Sequence, residues 1–169
     1  NANASAALRA FAHSLKIPCV TTLMGLGACD TTEPLSLHML GMHGTAYANY
    51  ATDDADFVIA VGSRFDDRVA GVPAKFARSA RWIAHLDIDS AEINKVKHVH
   101  WHHVGDVART LNTLREAALA AGLPGDCSAW HQHVIGLKAA YAMNYDRNSS
   151  LIQPYAVIEE INQLTRGEA

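Results

Sequence analysis

The sequence has few charged residues and no long apolar run, and each scarcity excludes a class of protein. Charged residues make up 18% of the 169 residues, the net charge is −3 and the isoelectric point is near 6.4. This balance provides no basic surface for nucleic acid or for an anionic membrane. No apolar run approaches the roughly 18 residues of a membrane span, and no charged-then-apolar leader opens the chain. We expect a cytoplasmic protein that binds neither nucleic acid nor membrane.

Cysteine is also scarce. The three cysteines, Cys19, Cys29 and Cys127, are odd in number and far apart in sequence. They form neither a disulfide framework nor a CxxC zinc site. In contrast, 49% of the residues are hydrophobic, which is typical of a globular chain with a sizeable core. The length predicts one domain with an appended arm.

Both ends have the character of a cut piece. The chain begins at Asn1 without a methionine, directly before a helix predicted over residues 4–15. At the other end a helix is predicted from residue 153, with proline in its first turn. This helix carries an apolar stripe at Val157, Ile158, Ile161 and Leu164. The stripe is expected either to dock onto something outside the chain or to fold back onto the domain.

Strand and helix patterns alternate between the ends. Apolar runs predict strands at 18–23, 57–62 and 82–88, with a weaker one at 99–104. The runs at 57–62 and 82–88 are both typical of central parallel strands covered on both faces. Helices are predicted between the strands, and 30–43 is expected to be a long loop. The fold class predicted is α/β, an open parallel sheet flanked by helices.

Glycine, arginine and aspartate follow three of these strands. They lie at residues 22–27, 62–68 and 87–90, where open α/β sheets bind nucleotides. Glycine permits close approach of a phosphate, and arginine provides a fork for phosphate or carboxylate. Taken singly, each group has a simpler interpretation as a turn, a solvated salt-bridge cluster or a helix cap. Together they favour a ligand site.

Histidines alternate at His98, His100 and His102, so a strand would place all three on one face. Three imidazoles could hold zinc, but an exposed edge strand has the same pattern. No carboxylate or cysteine nearby completes a ligand set. We therefore expect no metal site in this chain.

Four motifs carry a resemblance to a known family. They are TTLMGLG at 21–27, LGMHGT at 40–45, GSRFDDRV at 62–69 and HLDIDSAEI at 85–93. In this order and spacing they resemble the central domain of the large, catalytic subunit of acetohydroxyacid synthase, also called acetolactate synthase. The resemblance covers about residues 4–120. It implies a central FAD-binding-type domain over 1–125, and over 126–169 a helical linker and the start of a cofactor-binding third domain.

The family condenses two 2-ketoacids with loss of carbon dioxide, at the start of branched-chain amino-acid synthesis. The resemblance implies thiamine diphosphate and Mg²⁺ bound outside this chain, FAD bound by this domain, and no catalytic residue in this chain, which would be inert alone. It also implies a homodimer or tetramer with a regulatory subunit. Arg68 and Met42 match positions near the second ketoacid. The FAD positions implied are Thr22, Leu23, Met24, Gly41, Met42, His43, Gly62, Arg64, Asp66, Arg68, Val69, Asp87, Ile88 and Asp106.

The sequence departs from the family pattern at 28–30, at His38 and in the histidine-rich segment 97–103. Two alternatives stay open. One is the middle domain of another thiamine diphosphate enzyme, a carboligase or an oxidase. The other is a stand-alone nucleotide-binding module.

Overall fold

The structure is a computed structural model that describes residues 3–168. Its helices and strands alternate through the first two thirds of the chain, and helices alone follow. Two short 3₁₀ turns, Leu23–Gly25 and Ser90–Glu92, follow β1 and β4. The elements are α1 Ser5–Ser14, β1 Cys19–Thr21, β2 Ser36–Met39, α2 Ala46–Asp54, β3 Phe57–Val61, α3 Asp67–Ala70, β4 Trp82–Asp87, β5 Trp101–Val104, α4 Val107–Ala120, α5 Ser128–Ala140 and α6 Pro154–Thr165.

The strands form two parallel sheets, which confirms the predicted α/β class. β1 pairs with β2, and β3, β4 and β5 form the second sheet with β4 in the middle. Phe57 of β3 is opposite Trp82 of β4, and Ala84 of β4 is opposite Trp101 of β5. All strands are parallel, so their carboxyl ends lie at one edge of each sheet.

Two expectations about the strands are wrong. The predicted loop 30–43 contains β2, which is too short for its pattern to be distinguished from a loop; its Leu37 is only 2% exposed. The run at 57–62 is not a central strand: β3 is at an edge of the three-stranded sheet, and its Phe57 is 51% exposed. β4 occupies the centre, as its own run predicts, and it is buried from Ile83 to Asp87.

Helices cover both sheets and create the core. α1 and α4 pack together and against the second sheet, where Phe11, Leu86 and Leu111 are buried in one cluster. α5 places Val134, which is fully buried, in a cluster with Leu37 and Tyr47. The apolar stripe of α6 is exposed, with Leu164 75% and Ile158 63% accessible.

Candidate functional site

The candidate site is the carboxyl edge, by which we mean the segments that follow the five strands: 22–27, 40–45, 62–69, 88–92 and 105–106. Each segment begins where a strand ends, at Thr21, Met39, Val61, Asp87 and Val104. Backbone hydrogen bonds join one of these segments to another and one of them to the end of a neighbouring strand. The N–H of Met42 donates to the carbonyl of Arg68 at 2.8 Å, and the N–H of Gly105 donates to the carbonyl of Asp87 at 2.9 Å.

The contact between Met42 and Arg68 depends on Gly41. Gly41 has φ +94°, and a Cβ atom there would lie 2.3 Å from the Arg68 carbonyl oxygen. Only glycine allows the loop after β2 to approach the loop after β3 this closely. The structure thus brings Met42 and Arg68 together, the two residues matched to the family's second-ketoacid positions.

Asn49 of α2 fixes the same loop. Its Oδ1 accepts from the N–H of Gly41 at 2.7 Å, and its Nδ2 donates to the Gly41 carbonyl at 3.0 Å. The Asn49 side chain therefore binds both the N–H and the carbonyl group of Gly41. Sequence reasoning missed Asn49, and its position within a predicted helix gave no signal of this role.

An open cleft of about 300 Å³ lies beside this contact. Gly41, Met42 and Arg68 line it together with residues of α2 and of the segment after α3, including Asn49 and Lys75. The Arg68 side chain is 70% exposed, and its Nε is 4.0 Å from Asp67 Oδ2. An ion pair this long and exposed contributes little, so the guanidinium remains available to an anion.

The loop after β3 combines a free backbone surface with a helix cap. Gly62 has φ +59°, and the space where its Cβ would be is open. Asp66 Oδ1 accepts from the N–H groups of Arg68 and Val69, each at 3.1 Å, and so caps α3. Its Oδ2 is 3.7 Å from Nη2 of Arg64, whose side chain is 66% exposed. Asp66 is therefore a helix cap, one of the simpler roles considered for these groups from the sequence, and the side chain of Arg64 is exposed to solvent.

Exposed apolar side chains lie on the same edge. Thr22 Oγ1 accepts from the N–H of Gly25 at 3.2 Å and shapes the 3₁₀ turn that carries Leu23 and Met24. Leu23 is 68% exposed and Met24 84%. Met42 is 67% and Ile88 73% exposed. His43, next to Met42, is exposed as well.

The aspartates after β4 and β5 have internal partners. Asp87 is 7% exposed, and its Oδ1 accepts from the N–H of Asp89 at 2.9 Å. Asp106 caps α4 by accepting from the N–H of Arg109 at 2.8 Å. His85, fully buried on β4, has its Nε2 3.7 Å from Asp87 Oδ2. Burial lowers the pKa of His85, and the nearby Asp87 carboxylate opposes this only in part.

The histidine expectation is wrong in its geometry. β5 begins at Trp101, so His98 and His100 precede the strand and only His102 of the three lies within it. His100 Nδ1 accepts a hydrogen bond from the N–H of Ile83 at 3.1 Å. Val99, between His98 and His100, is buried. Among residues 3–168, no group of three or more His, Cys, Asp or Glu side chains is placed to hold a metal ion. Over the same residues no helix is both long and apolar enough to cross a membrane.

Parallel strands whose glycine- and arginine-bearing loops meet at the carboxyl edge define an α/β domain of the kind that binds ligands at this edge. Comparison with known proteins makes this specific. The sequence profile of the family described as "Thiamine pyrophosphate enzyme, central domain" matches residues 1–114, and the chain belongs to this family.

Individual proteins similar to this chain are named acetolactate synthases. The chain is 45% identical over 165 residues to "Acetolactate synthase 2, chloroplastic" of Nicotiana tabacum, covering 96% of this chain and 24% of the relative. It is 44% identical over 166 residues to "Acetolactate synthase 1, chloroplastic" of Zea mays, covering 96% of this chain and 26% of the relative. For "Acetolactate synthase, chloroplastic" of Arabidopsis thaliana the identity is 41% over 169 residues, which is 99% of this chain and 25% of the relative. These findings confirm the resemblance drawn from the four motifs, and the chain spans about a quarter of these relatives' length.

Proposed function

We propose that this chain is the central domain of an acetolactate synthase, which joins two 2-ketoacids with loss of carbon dioxide and requires thiamine diphosphate and Mg²⁺ bound outside residues 1–169. The observation that carries the proposal is the 45% identity with an acetolactate synthase over 96% of the chain. The aligned region covers almost the whole chain. The family membership is independent support for a thiamine-dependent enzyme.

We further propose that the carboxyl edge binds FAD, as the family resemblance implies. The residues present fit its chemistry. The exposed side chains of Leu23, Met24 and Met42 offer an apolar surface to a flavin ring. The exposed guanidinium groups of Arg64 and Arg68 suit a diphosphate.

The remaining residues assigned to FAD are a glycine with open space beside it and side chains that border the cofactor or hold the loops around it. The open space at Gly62 allows a phosphate or sugar to approach the main chain. Thr22, Gly41, His43, Asp66 and Val69 would border the flavin and ribityl chain, with Asp87, Ile88 and Asp106 towards the adenosine. Because Asp66, Asp87 and Asp106 already accept from backbone N–H groups, their part is to hold the loops in position. When bound, FAD would supply structure to the active site and no net redox step.

Arg68 and Met42 would act on the second ketoacid. The exposed guanidinium of Arg68 can pair with its carboxylate through two parallel hydrogen bonds. The Met42 side chain, held beside it by the Met42–Arg68 backbone hydrogen bond, would contact the apolar part of the substrate. Together they would orient the ketoacid without taking part in proton transfer.

The first test is to sequence the reading frame on both sides of the chain and to express its complete product. We expect the frame to encode the other three quarters of a thiamine diphosphate enzyme, whose product converts pyruvate to acetolactate. A product that makes acetate or a different carboligation product would instead identify an oxidase or another carboligase. A frame that encodes only this chain would favour a stand-alone nucleotide-binding module.

Assembly and location are further proposals. The exposed apolar stripe of α6 supports a homodimer or tetramer, and a regulatory subunit follows from the resemblance alone. Light scattering of the complete product, with and without the candidate subunit, tests both. The location proposed from composition is the cytoplasm, whereas the plant relatives are named chloroplastic; imaging of a fluorescent fusion distinguishes the two.

A further inference from the structure

Two of the three cysteines lie side by side, although ten positions separate them in sequence. Cys19 is the first residue of β1, and Cys29 follows the 3₁₀ turn Leu23–Gly25. Their Sγ atoms are 2.7 Å apart, and both are free thiols. A disulfide requires a separation of about 2.05 Å, so the sulfurs need to move by less than about 1 Å to bond.

We propose that Cys19 and Cys29 form a redox-active pair, which a small peroxide converts into an intramolecular disulfide. The proposal does not rest on the acetolactate synthase function. It rests on the distance between the two sulfurs, on their different surroundings and on the way Arg9 holds the segment that contains Cys29.

Arg9 of α1 fixes the segment that leads into Cys29. Its Nε donates to the carbonyl of Ala28 at 3.0 Å, and its Nη2 donates to the carbonyl of Gly27 at 2.6 Å. These bonds place a permanent cation beside Cys29 and limit the motion of its backbone. A nearby guanidinium favours the thiolate form of a cysteine.

The two thiols differ in acidity. The hydrogen bond between the two sulfurs lowers the pKa of Cys29, and the charge of Arg9 adds to this lowering. The same hydrogen bond, together with burial, raises the pKa of Cys19. Cys29 is therefore the nucleophile of the pair, and Cys19 is the resolving thiol.

Access favours a small oxidant. Cys29 is 8% exposed and Cys19 is half-buried, so hydrogen peroxide fits the approach better than a bulky disulfide. The Cys29 thiolate attacks one peroxide oxygen, the O–O bond breaks, and hydroxide leaves a sulfenic acid on Cys29. The Cys19 sulfur then attacks the Cys29 sulfur, the S–O bond breaks, and the Cys19 proton departs with the oxygen as water. In total, two thiols and one hydrogen peroxide give one disulfide and two waters.

The new bond closes the loop of residues 19–29. This loop carries the 3₁₀ turn Leu23–Gly25 on the carboxyl edge. Oxidation thus ties the start of β1 to the far end of that segment and restrains the exposed side chains of Leu23 and Met24. Reduction by a dithiol returns the free pair.

The pair is tested on the purified protein with hydrogen peroxide, followed by catalase, iodoacetamide and trypsin. Cleavage after Lys16 and Arg64 leaves both cysteines in the peptide 17–64, and Cys127 falls in the peptide 116–138. We expect the 17–64 peptide to lose both labels and to be about 2 Da lighter than its dithiol form, the mass of two hydrogens. Dithiothreitol before labelling should restore both labels.

Cys127 is the internal control, since it is free and lies before α5. At the peroxide dose that closes the pair, the 116–138 peptide should keep its label. The Cys127→Ser variant should form the disulfide at the wild-type rate. The proposal is overturned if Cys127 is oxidised while the 17–64 peptide keeps both labels, or if the disulfides found join Cys127 or two chains.

Single variants assign the roles. With Cys19→Ser, dimedone should trap a sulfenic acid on Cys29 that does not accumulate in the wild type. With Cys29→Ser, oxidation of Cys19 should be at least tenfold slower. If Cys19 is oxidised equally fast without Cys29, the pair does not act in the way proposed. The wild-type peptide measurement is independent of how well either variant folds.

Discussion

Replacing Gly41 with alanine is the most direct test of the geometry of the carboxyl edge. The backbone at Gly41 has φ +94°, and an added Cβ would lie 2.3 Å from the Arg68 carbonyl oxygen and 3.1 Å from Val69 Cα. Both obstacles are backbone atoms, so no side-chain rotation relieves the contact. The loop must withdraw, and the hydrogen bond from Met42 N–H to the Arg68 carbonyl, 2.8 Å long, is lost.

The expected loss of stability has two parts. A residue other than glycine in this backbone region costs about 1–3 kcal/mol. The lost hydrogen bond adds about 0.5–1.5 kcal/mol. Gly41→Ala should therefore lower the free energy of unfolding by about 1.5–4.5 kcal/mol. In a chain of this size each kcal/mol shifts the melting temperature by roughly 2–4 °C, so the expected decrease is roughly 3–18 °C.

Gly27→Ala is the matched control. Gly27 has φ +82°, and no atom lies within 4 Å of the position that its Cβ would take. It reports the backbone cost alone, and the difference between the two variants measures the contact with Arg68. Urea unfolding followed by tryptophan fluorescence gives both values. If Gly41→Ala is no less stable than Gly27→Ala, the close approach of the two loops does not exist in solution.

Three further predictions concern single side chains. Asp106→Ala should remove the cap of α4 and lower stability by about 1 kcal/mol, whereas Asp106→Ser should keep most of it in the same urea assay. His85 has a pKa below its ordinary value of 6.5, so on acidification the unfolded chain binds a proton at this residue more readily than the native state does. The free energy of unfolding should therefore fall as the pH drops from about 7 to 5. In a plot of urea midpoint against pH, His85→Gln should have a smaller slope than the wild type. In the complete enzyme, Arg68→Ala should raise the KM for the second ketoacid about 10- to 100-fold by removing a charge-assisted bond. Arg81→Ala, which changes an exposed arginine directly before β4, should leave that KM unchanged.

Features with a local cause could be predicted from the sequence. The apolar runs of β3 and β4 and the helix of α4 follow from periodicity and from a capping aspartate, which act within a few residues. The clustering of functional segments at the carboxyl edge also follows, because parallel strands place their ends together. The order of the strands did not follow: both runs have the pattern of a central strand, but only β4 has a strand on each side.

Features that depend on distant contacts could not be predicted. The Met42–Arg68 hydrogen bond, the hold of Asn49 on Gly41 and the approach of Cys29 to Cys19 each join residues that the sequence separates by eight positions or more. β2 was missed for a related reason. Its four residues are too few to show a period, and its pairing with β1 is what stabilises it.

At the carboxyl edge, two aspartates cap helices, whereas two arginines have exposed side chains. Asp66 and Asp106 use their side chains to accept backbone N–H groups at the starts of α3 and α4. Their negative charge is therefore compensated by helix N-termini, where an anion is stabilised. Arg64 and Arg68 are about two-thirds exposed, and their nearest carboxylates are 3.7 and 4.0 Å away. Asp67 is also exposed in the same loop, so the edge as a whole is not a cationic surface. The proposed contacts to a diphosphate and to a ketoacid carboxylate therefore depend on the two exposed guanidinium groups themselves, because each provides a planar fork of hydrogen-bond donors.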